Sequence, residues 1–177
     1  MLPELIEAGL FRLRPFRPDD VDAVFEYASD PAFLRYLPIP MPYTRPDAER
    51  FLAGQALLDR RQNPSWAIEV EGRPAGGVNI RFFEEHRVSE IGYGVARRLW
   101  GQGFATEAAR IVIGAAFREH PDLMRVRARA DGPNAASIRV MEKLGMRREG
   151  LLRQDRLCRG ALVDHVVYGL LRKEWNG

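Results

Sequence analysis

Apolar and basic residues alternate from Leu10 to Pro15 (LFRLRP), the two-residue period of a half-buried strand. Arg17 to Asp20 (RPDD) brings a proline and two acids, the composition of a helix's first turn. Val21, Val24, Phe25 and Ala28 then fall at helical spacing and give that helix one apolar face. Asp30-Pro31 ends it or begins a second short helix. Four prolines in the ten residues from Leu37 to Pro46 (LPIPMPYTRP) rule out regular structure there. This segment is the expected mobile or substrate-shaping loop. Asp47 to Arg60 resumes a helix.

Trp66 to Val70 reads as a strand, Glu71-Gly72-Arg73-Pro74 as a turn, and Ala75 to Phe83 as the returning strand of a hairpin. Ser89 to Ala96 (SEIGYGVA) is another strand, which Gly92 and Gly94 are expected to weaken or bend. A glycine-containing loop and a strongly helical run from Phe104 to Glu119 follow. Leu123 to Ala130 alternates like a half-buried strand. Asn134 to Leu144 reads as a helix stopped by Gly145, with Val140, Met141 and Leu144 on its inner face. Met146 to Leu152 and Leu162 to Leu171 close the chain as strands. This order predicts one mixed α+β or α/β domain on a central sheet.

With 177 residues, the chain has room for one domain but not for two ordinary ones, so residues 1–177 are read as a single unit. An apolar share of 46% marks it as globular. The net charge of +3 suits a polyanionic small molecule and is too weak to argue for nucleic acid. Arg125, Arg127 and Arg129 alternate on one strand, but no aromatic platform is interleaved with them. Cys158 is the sole cysteine, which excludes an intrachain disulfide and a cysteine-built zinc site. No basic leader precedes an apolar run at the N-terminus, and no stretch approaches the ~18 apolar residues of a membrane span. These features point to a cytoplasmic protein without a membrane or nucleic-acid partner.

Trp100-Gly101-Gln102-Gly103-Phe104-Ala105-Thr106 lies between a strand and a helix. Glycines let backbone turn tightly and approach a ligand. The first amides of a helix lack intrahelical acceptors, and the dipole adds positive potential there, so a diphosphate satisfies both. Thr106 can add a hydroxyl, and Arg97 and Arg98 stand just upstream. A turn made by Gly101 and Gly103 alone is the plainer alternative. A Walker loop would end in Gly-Lys-Ser/Thr, where this one has Phe104-Ala105-Thr106. A dinucleotide fingerprint would need glycine or alanine at position 106 and an acid about 20 residues on.

The loop resembles the pyrophosphate site of the GNAT acetyltransferase superfamily, Gln/Arg-x-x-Gly-x-Gly/Ala, which falls here on Trp100, Gly103 and Ala105. Trp100 departs from that pattern, but W-G-x-G-x-A-T-E-A is similar to the RimJ/RimL-like branch, the ribosomal-protein N-acetyltransferases. Asn134-x-x-Ser137-x-x-x-Met141-Glu142-Lys143-x-Gly145-Met146 is similar to the same branch's second motif. The opening LRPFRPDDVDAVFEYASDP and the closing Gly160-x-x-x-Asp164 and Tyr168-Gly169-Leu170-Leu171 also match it in order. The resemblance implies a mixed, mostly antiparallel sheet of about six to seven strands with about four helices. It implies acetyl transfer from acetyl-CoA to an amine, without a metal. The expected acceptor is a protein or peptide N-terminal α-amine. An antibiotic or polyamine is the alternative within enzymes, and a CoA-binding sensor that has lost catalysis is the alternative outside them. Homodimers are common in such families.

An amine must be neutral to attack. An α-amine with a pKa near 8 is roughly a tenth neutral at pH 7, and a lysine at about 10.4 far less. Removing that proton and supplying one to the leaving thiolate both help, as does a backbone N–H polarising the thioester carbonyl. By the resemblance, Tyr93 to Ala96 pair with pantetheine, and the Val95 amide takes the carbonyl. Gly101, Gln102, Gly103, Phe104, Ala105 and Thr106 hold the pyrophosphate. Asn134 caps its helix and contacts the cofactor. Many relatives carry a tyrosine acid where this chain has Met141, so Ser137 is assigned the hydrogen bond to the leaving sulfur, the alternative being a bond to its own helix. Glu90 is a carboxylate base or an exposed strand-end charge. Arg156 falls where another base would be expected, with Asp155 beside it, and His86 is a further candidate. Arg139, Lys143, Arg147 and Arg148 are either surface charges or contacts to the CoA 3′-phosphate. Acceptor specificity is expected in the first helices, the proline-rich loop and the Arg153 to Ala161 connection.

Overall fold

The first alternating segment folds back on a three-residue strand: β1 (Ile6–Ala8) and β2 (Phe11–Arg14) form a hairpin about Gly9, whose φ is 65°. The computed structural model describes residues 1–83, 85 and 87–177. β3 (Ser65–Val70) pairs with β2, and β4 (Arg73–Phe83) returns along β3 through a turn in which Glu71 and Gly72 take positive φ. β5 (Val88–Val95), β6 (Arg125–Asp131), β7 (Arg147–Cys158) and β8 (Ala161–Leu171) complete an eight-stranded sheet in the order β1-β2-β3-β4-β5-β6-β8-β7. Every neighbouring pair is antiparallel except β5 with β6. The sheet is mixed and mostly antiparallel as expected. It has more strands because β1 is too short to register as a period in the sequence.

The helices number five among the described residues. α1 (Val21–Ala28), α2 (Pro31–Leu34) and α3 (Arg45–Ala56) gather a small core of Val24, Ala28, Leu34, Tyr43, Ala48 and Leu52, with Phe16 and Phe33 against it. Phe16 lies against Gly77, where a Cβ would stand 3.1 Å from the ring, so glycine lets this cluster close onto β4. α4 (Phe104–Glu119) and α5 (Ala135–Lys143) belong to the main core with Val78, Ile80 and Phe82, the alternate residues of β4. Strand alternation therefore sets α4 and α1–α3 on opposite faces of the sheet.

Three local readings need correction. α3 starts at Arg45 instead of Asp47, because Thr44 N–H donates to Asp47 Oδ2 (2.7 Å) and caps it; Pro46 sits in the first turn, where a missing N–H is harmless. β5 runs without a break through Gly92 and Gly94. Gly92 leaves room for a neighbour, since a Cβ there would stand 2.7 Å from Asn79 Oδ1, whereas one on Gly94 would only touch Phe33. Most of the expected Arg153 to Ala161 connection is strand. β7 continues to Cys158 through a register shift between Leu152 and Arg156, with Gln154 at φ 51° and its N–H held by Asp164 Oδ1.

Arg14 is buried between two acids. Its Nη1 and Nη2 donate to Asp20, both at 2.8 Å, and its Nε to Glu69, which also receives Arg12. Each charge has a partner, which such burial requires, and the knot ties β2 and β3 to the start of α1. Among the described residues, no helix is long and apolar enough to cross a membrane.

Candidate active site

β5 and β6 begin side by side and then separate. Their register holds at Val88↔Arg125, Ser89↔Val126 and Glu90↔Arg127, and past that point β5 keeps only β4 as a partner. The Ala96 amide donates to Ala75 O at 2.7 Å, toward β4. Alternation therefore turns the amides of Tyr93 and Val95 the other way, into the gap. The Val95 carbonyl confirms that direction, since it accepts Trp100 Nε1 at 2.8 Å from outside the β4 ladder. A notch with outward backbone amides can receive an extended, amide-bearing chain.

The glycine loop lies at the end of β5 through that same Trp100 contact. Gly101 (φ 75°) and Gly103 (φ 89°) occupy the left-handed region that side chains disfavour. Gly103 precedes α4 with no side-chain cap, and the first helical rung is Glu107 N–H to Gly103 O at 2.9 Å. The amides of Phe104, Ala105 and Thr106 are therefore without helical acceptors, the arrangement that binds an anion. Phe104 anchors the turn against Phe11, ring centroids 5.8 Å apart. The Gln102 side chain turns back to Arg98 O (2.7 Å), and its backbone N–H donates to Leu99 O, which closes the turn. Arg97 and Arg98 are exposed and border a smaller hollow of about 420 Å³.

Across the gap, Asn134 caps α5 by accepting the Ser137 N–H on Oδ1 at 3.2 Å. Ser137 meets β5 here, with Tyr93 Oη 3.1 Å from both its carbonyl and its Oγ. Burial pushes the Tyr93 phenol up to about 12 against the opposing effect of the Ser137 bond, so it stays protonated. Met141, at the position where relatives carry an acid, is fully buried in the main core and does not reach the gap. Arg139, Lys143, Arg147 and Arg148 are exposed, and Arg147 lies 3.4 Å from Glu174.

Glu90 lies where the strands part. Its Oε2 accepts Arg127 Nε (2.8 Å) and Arg129 Nη2 (3.0 Å), so it is neither free nor a bare surface charge. His86 lies outside the described residues.

Tyr93, Ser137, Asn134 and Glu90 share one large cleft of about 1310 Å³. Its far wall comes from α1–α3 and the proline-rich segment, with Tyr27, Phe33, Tyr36, Pro38 and Tyr43. The sequence reading missed what stands on the third side. There Asp131, His165, Asp155 and Arg156, from three strands, form a linked group. The sequence marked only Asp155 and Arg156; the others are 34 residues apart and meet only because β8 lies beside β6.

Residues 11–147 match the family model described as an acetyltransferase (GNAT) domain. The uncharacterized N-acetyltransferase YnaD of Bacillus subtilis is 31% identical, over 93% of this chain and 95% of its own. The crystal structure of a putative acetyltransferase from T. thermophilus is 33% identical and superposes with a TM-score of 0.84, covering 99% of this chain and 93% of that one. Mycobacterium smegmatis RimJ in complex with CoA-disulfide, 25% identical, gives the same score over 99% of this chain and 89% of its own.

Proposed function

The chain belongs to the GNAT family of N-acetyltransferases, and from that premise we propose that it acetylates the N-terminal α-amine of a protein or peptide. The observation that carries this reading is the reach of the cleft: the cavity of about 1310 Å³ that takes in the cofactor notch continues past Ser137 to an open aromatic wall of Tyr27, Phe33, Tyr36 and Tyr43. An open wall of that breadth suits a peptide better than a small amine, which is held in a closed pocket. The likeness to RimJ along nearly the whole chain supports the same acceptor class.

In this reading acetyl-CoA lies along the notch between β5 and β6. Its pyrophosphate meets the amides of Phe104, Ala105 and Thr106, with Gly101, Gln102 and Gly103 forming the turn. The pantetheine arm follows Tyr93 to Val95. The Val95 amide takes the thioester oxygen, where negative charge builds as the amine adds. Asn134 holds the α5 N-terminus, so Ser137 faces the sulfur. Its hydroxyl protonates the departing thiolate, and Tyr93 holds that hydroxyl in line. Glu90 is the strand-end carboxylate of the cleft. A proton there would displace its contacts to two guanidiniums, so it serves better as the anchor of Arg127 and Arg129 than as a base.

The test is thiol release from acetyl-CoA with a panel of N-terminal peptides set against polyamines and aminoglycosides. Peptide kcat/KM should exceed that of the small amines. A small amine turned over faster than every peptide would move the assignment to the small-molecule class.

A further inference from the structure

The linked group on the third side of the cleft is left without a part by these assignments. Arg156 Nη2 donates to Asp131 Oδ1 at 2.5 Å, and the same oxygen stands 3.1 Å from His165 Nε2. His165 Nδ1 lies 2.9 Å from Asp155 Oδ2. The side chains of Asp131, His165 and Asp155 are 4%, 12% and 34% exposed. The chain thus leads from the interior to the cleft.

Three strands build it. Asp131 ends β6 opposite His165 in the β6–β8 register, and Asp155 and Arg156 reach across from β7. Arg156 is fixed further by the Tyr36 carbonyl, 3.0 Å from Nη2. Arg129, two residues before Asp131, is committed to Glu90. Asp131, Asp155 and, through Asp131, Arg156 are the charged groups bonded around His165 among the described residues.

We propose that Asp155 and His165 together are the proton acceptor for the attacking amine. This rests on acetyl transfer to an amine, whichever amine that is. A carboxylate at the mouth of the cleft attracts the ammonium form. When the proton moves inward, both ring nitrogens of His165 carry hydrogen and each has a carboxylate oxygen to donate to. Arg156 keeps Asp131 in place as the inner acceptor.

The ammonium gives one proton to the Asp155–His165 pair, and the neutral nitrogen forms its C–N bond to the acetyl carbon. The C–S bond breaks, and the second nitrogen proton reaches the thiolate by way of the Ser137 hydroxyl. The pair then returns its proton to water.

The test compares wild type, Asp155→Asn and His165→Gln at saturating acetyl-CoA, on acceptor amines of graded basicity that the wild type turns over. Both variants should lose about 100-fold or more in kcat on basic amines, with the KM for acetyl-CoA unchanged. The loss should shrink as the amine becomes less basic, because a neutral amine needs no base. The acidic limb of the pH–rate profile, common to all amines in the wild type, should instead follow each amine's own basicity in the variants. A kcat for Asp155→Asn close to wild type overturns the proposal, and so does a deficit equal on all amines, since a structural role would give the latter. Should His165→Gln fold poorly, Asp155→Asn decides alone, because its side chain is partly in solvent. If small amines react and peptides do not, the acceptor reading above fails while the variant ratios still test the pair.

Discussion

Tyr93 Oη and Ser137 Oγ lie 3.1 Å apart across a gap that the sheet leaves unpaired, joining two residues 44 positions apart in sequence. A hydroxyl on a helix N-terminus is mobile unless something holds it. Here the holder is a phenol kept protonated by burial.

Ser137→Ala is therefore expected to lower kcat by about 100-fold at saturating amine, with CoA affinity little changed. Tyr93→Phe keeps the ring and loses the hydrogen bond, so a smaller fall of about tenfold is expected. Single-turnover acetyl transfer checks both, and the double variant should fall no further than Ser137→Ala. Full additivity would mean that the two hydroxyls act separately.

Met141→Tyr would place a phenol at the position of the usual family acid. Met141 is fully buried, so the substitution overpacks the core and should cost about 1–3 kcal/mol of stability. It should not restore turnover to Ser137→Ala. Thermal unfolding and the double-variant kcat are the readouts.

Trp100→Phe removes the indole donor to Val95 O. One neutral hydrogen bond is worth about 1 kcal/mol, so CoA affinity by calorimetry should weaken about fivefold. Gly103→Ala should weaken it as well, since φ at 89° strains any side chain.

Glu69 predicts the acid limit of stability. Burial alone would raise its carboxyl, but the bonds from Arg14 and Arg12 outweigh that and hold it below the usual 4.5. A carboxyl depressed in the fold stabilises it above the usual value, and that contribution is lost as pH falls through the depressed one. Glu69→Gln leaves Arg14 its bidentate pair with Asp20 but weakens the bonds to Glu69, so it should cost about 1.5–3 kcal/mol near neutrality. Below pH 4.5 its urea stability should fall less steeply with pH than that of wild type.

Local signals in the sequence carried most of the elements. The α4 bounds, Phe104–Glu119, follow from helical period between Gly103 and Pro121, and Asn134 as a cap follows from residue type. What was hidden depends on neighbours distant in sequence. The continuity of β5 through two glycines comes from its unbroken pairing with β4, which neither glycine announces. The second half of β7, from Arg153, looks like a loop because the register shift after Leu152 breaks the alternation. Asp131 and His165 each look ordinary in their own strands, and only the β6–β8 pairing turns them into one group. Glu90 could be singled out, but the two arginines that occupy it sit on a strand reached through α4.

Within the sheet, three residue pairs join the half that ends in β5 to the half that begins in β6. Such a sheet is two plates on a short seam, and the open notch beyond the seam is where they would pry apart most easily. A ligand seated there splints the plates. Deuterium uptake at Tyr93 and Val95 should therefore slow on CoA binding, and the force needed to unzip β5 from β6 should rise with cofactor concentration.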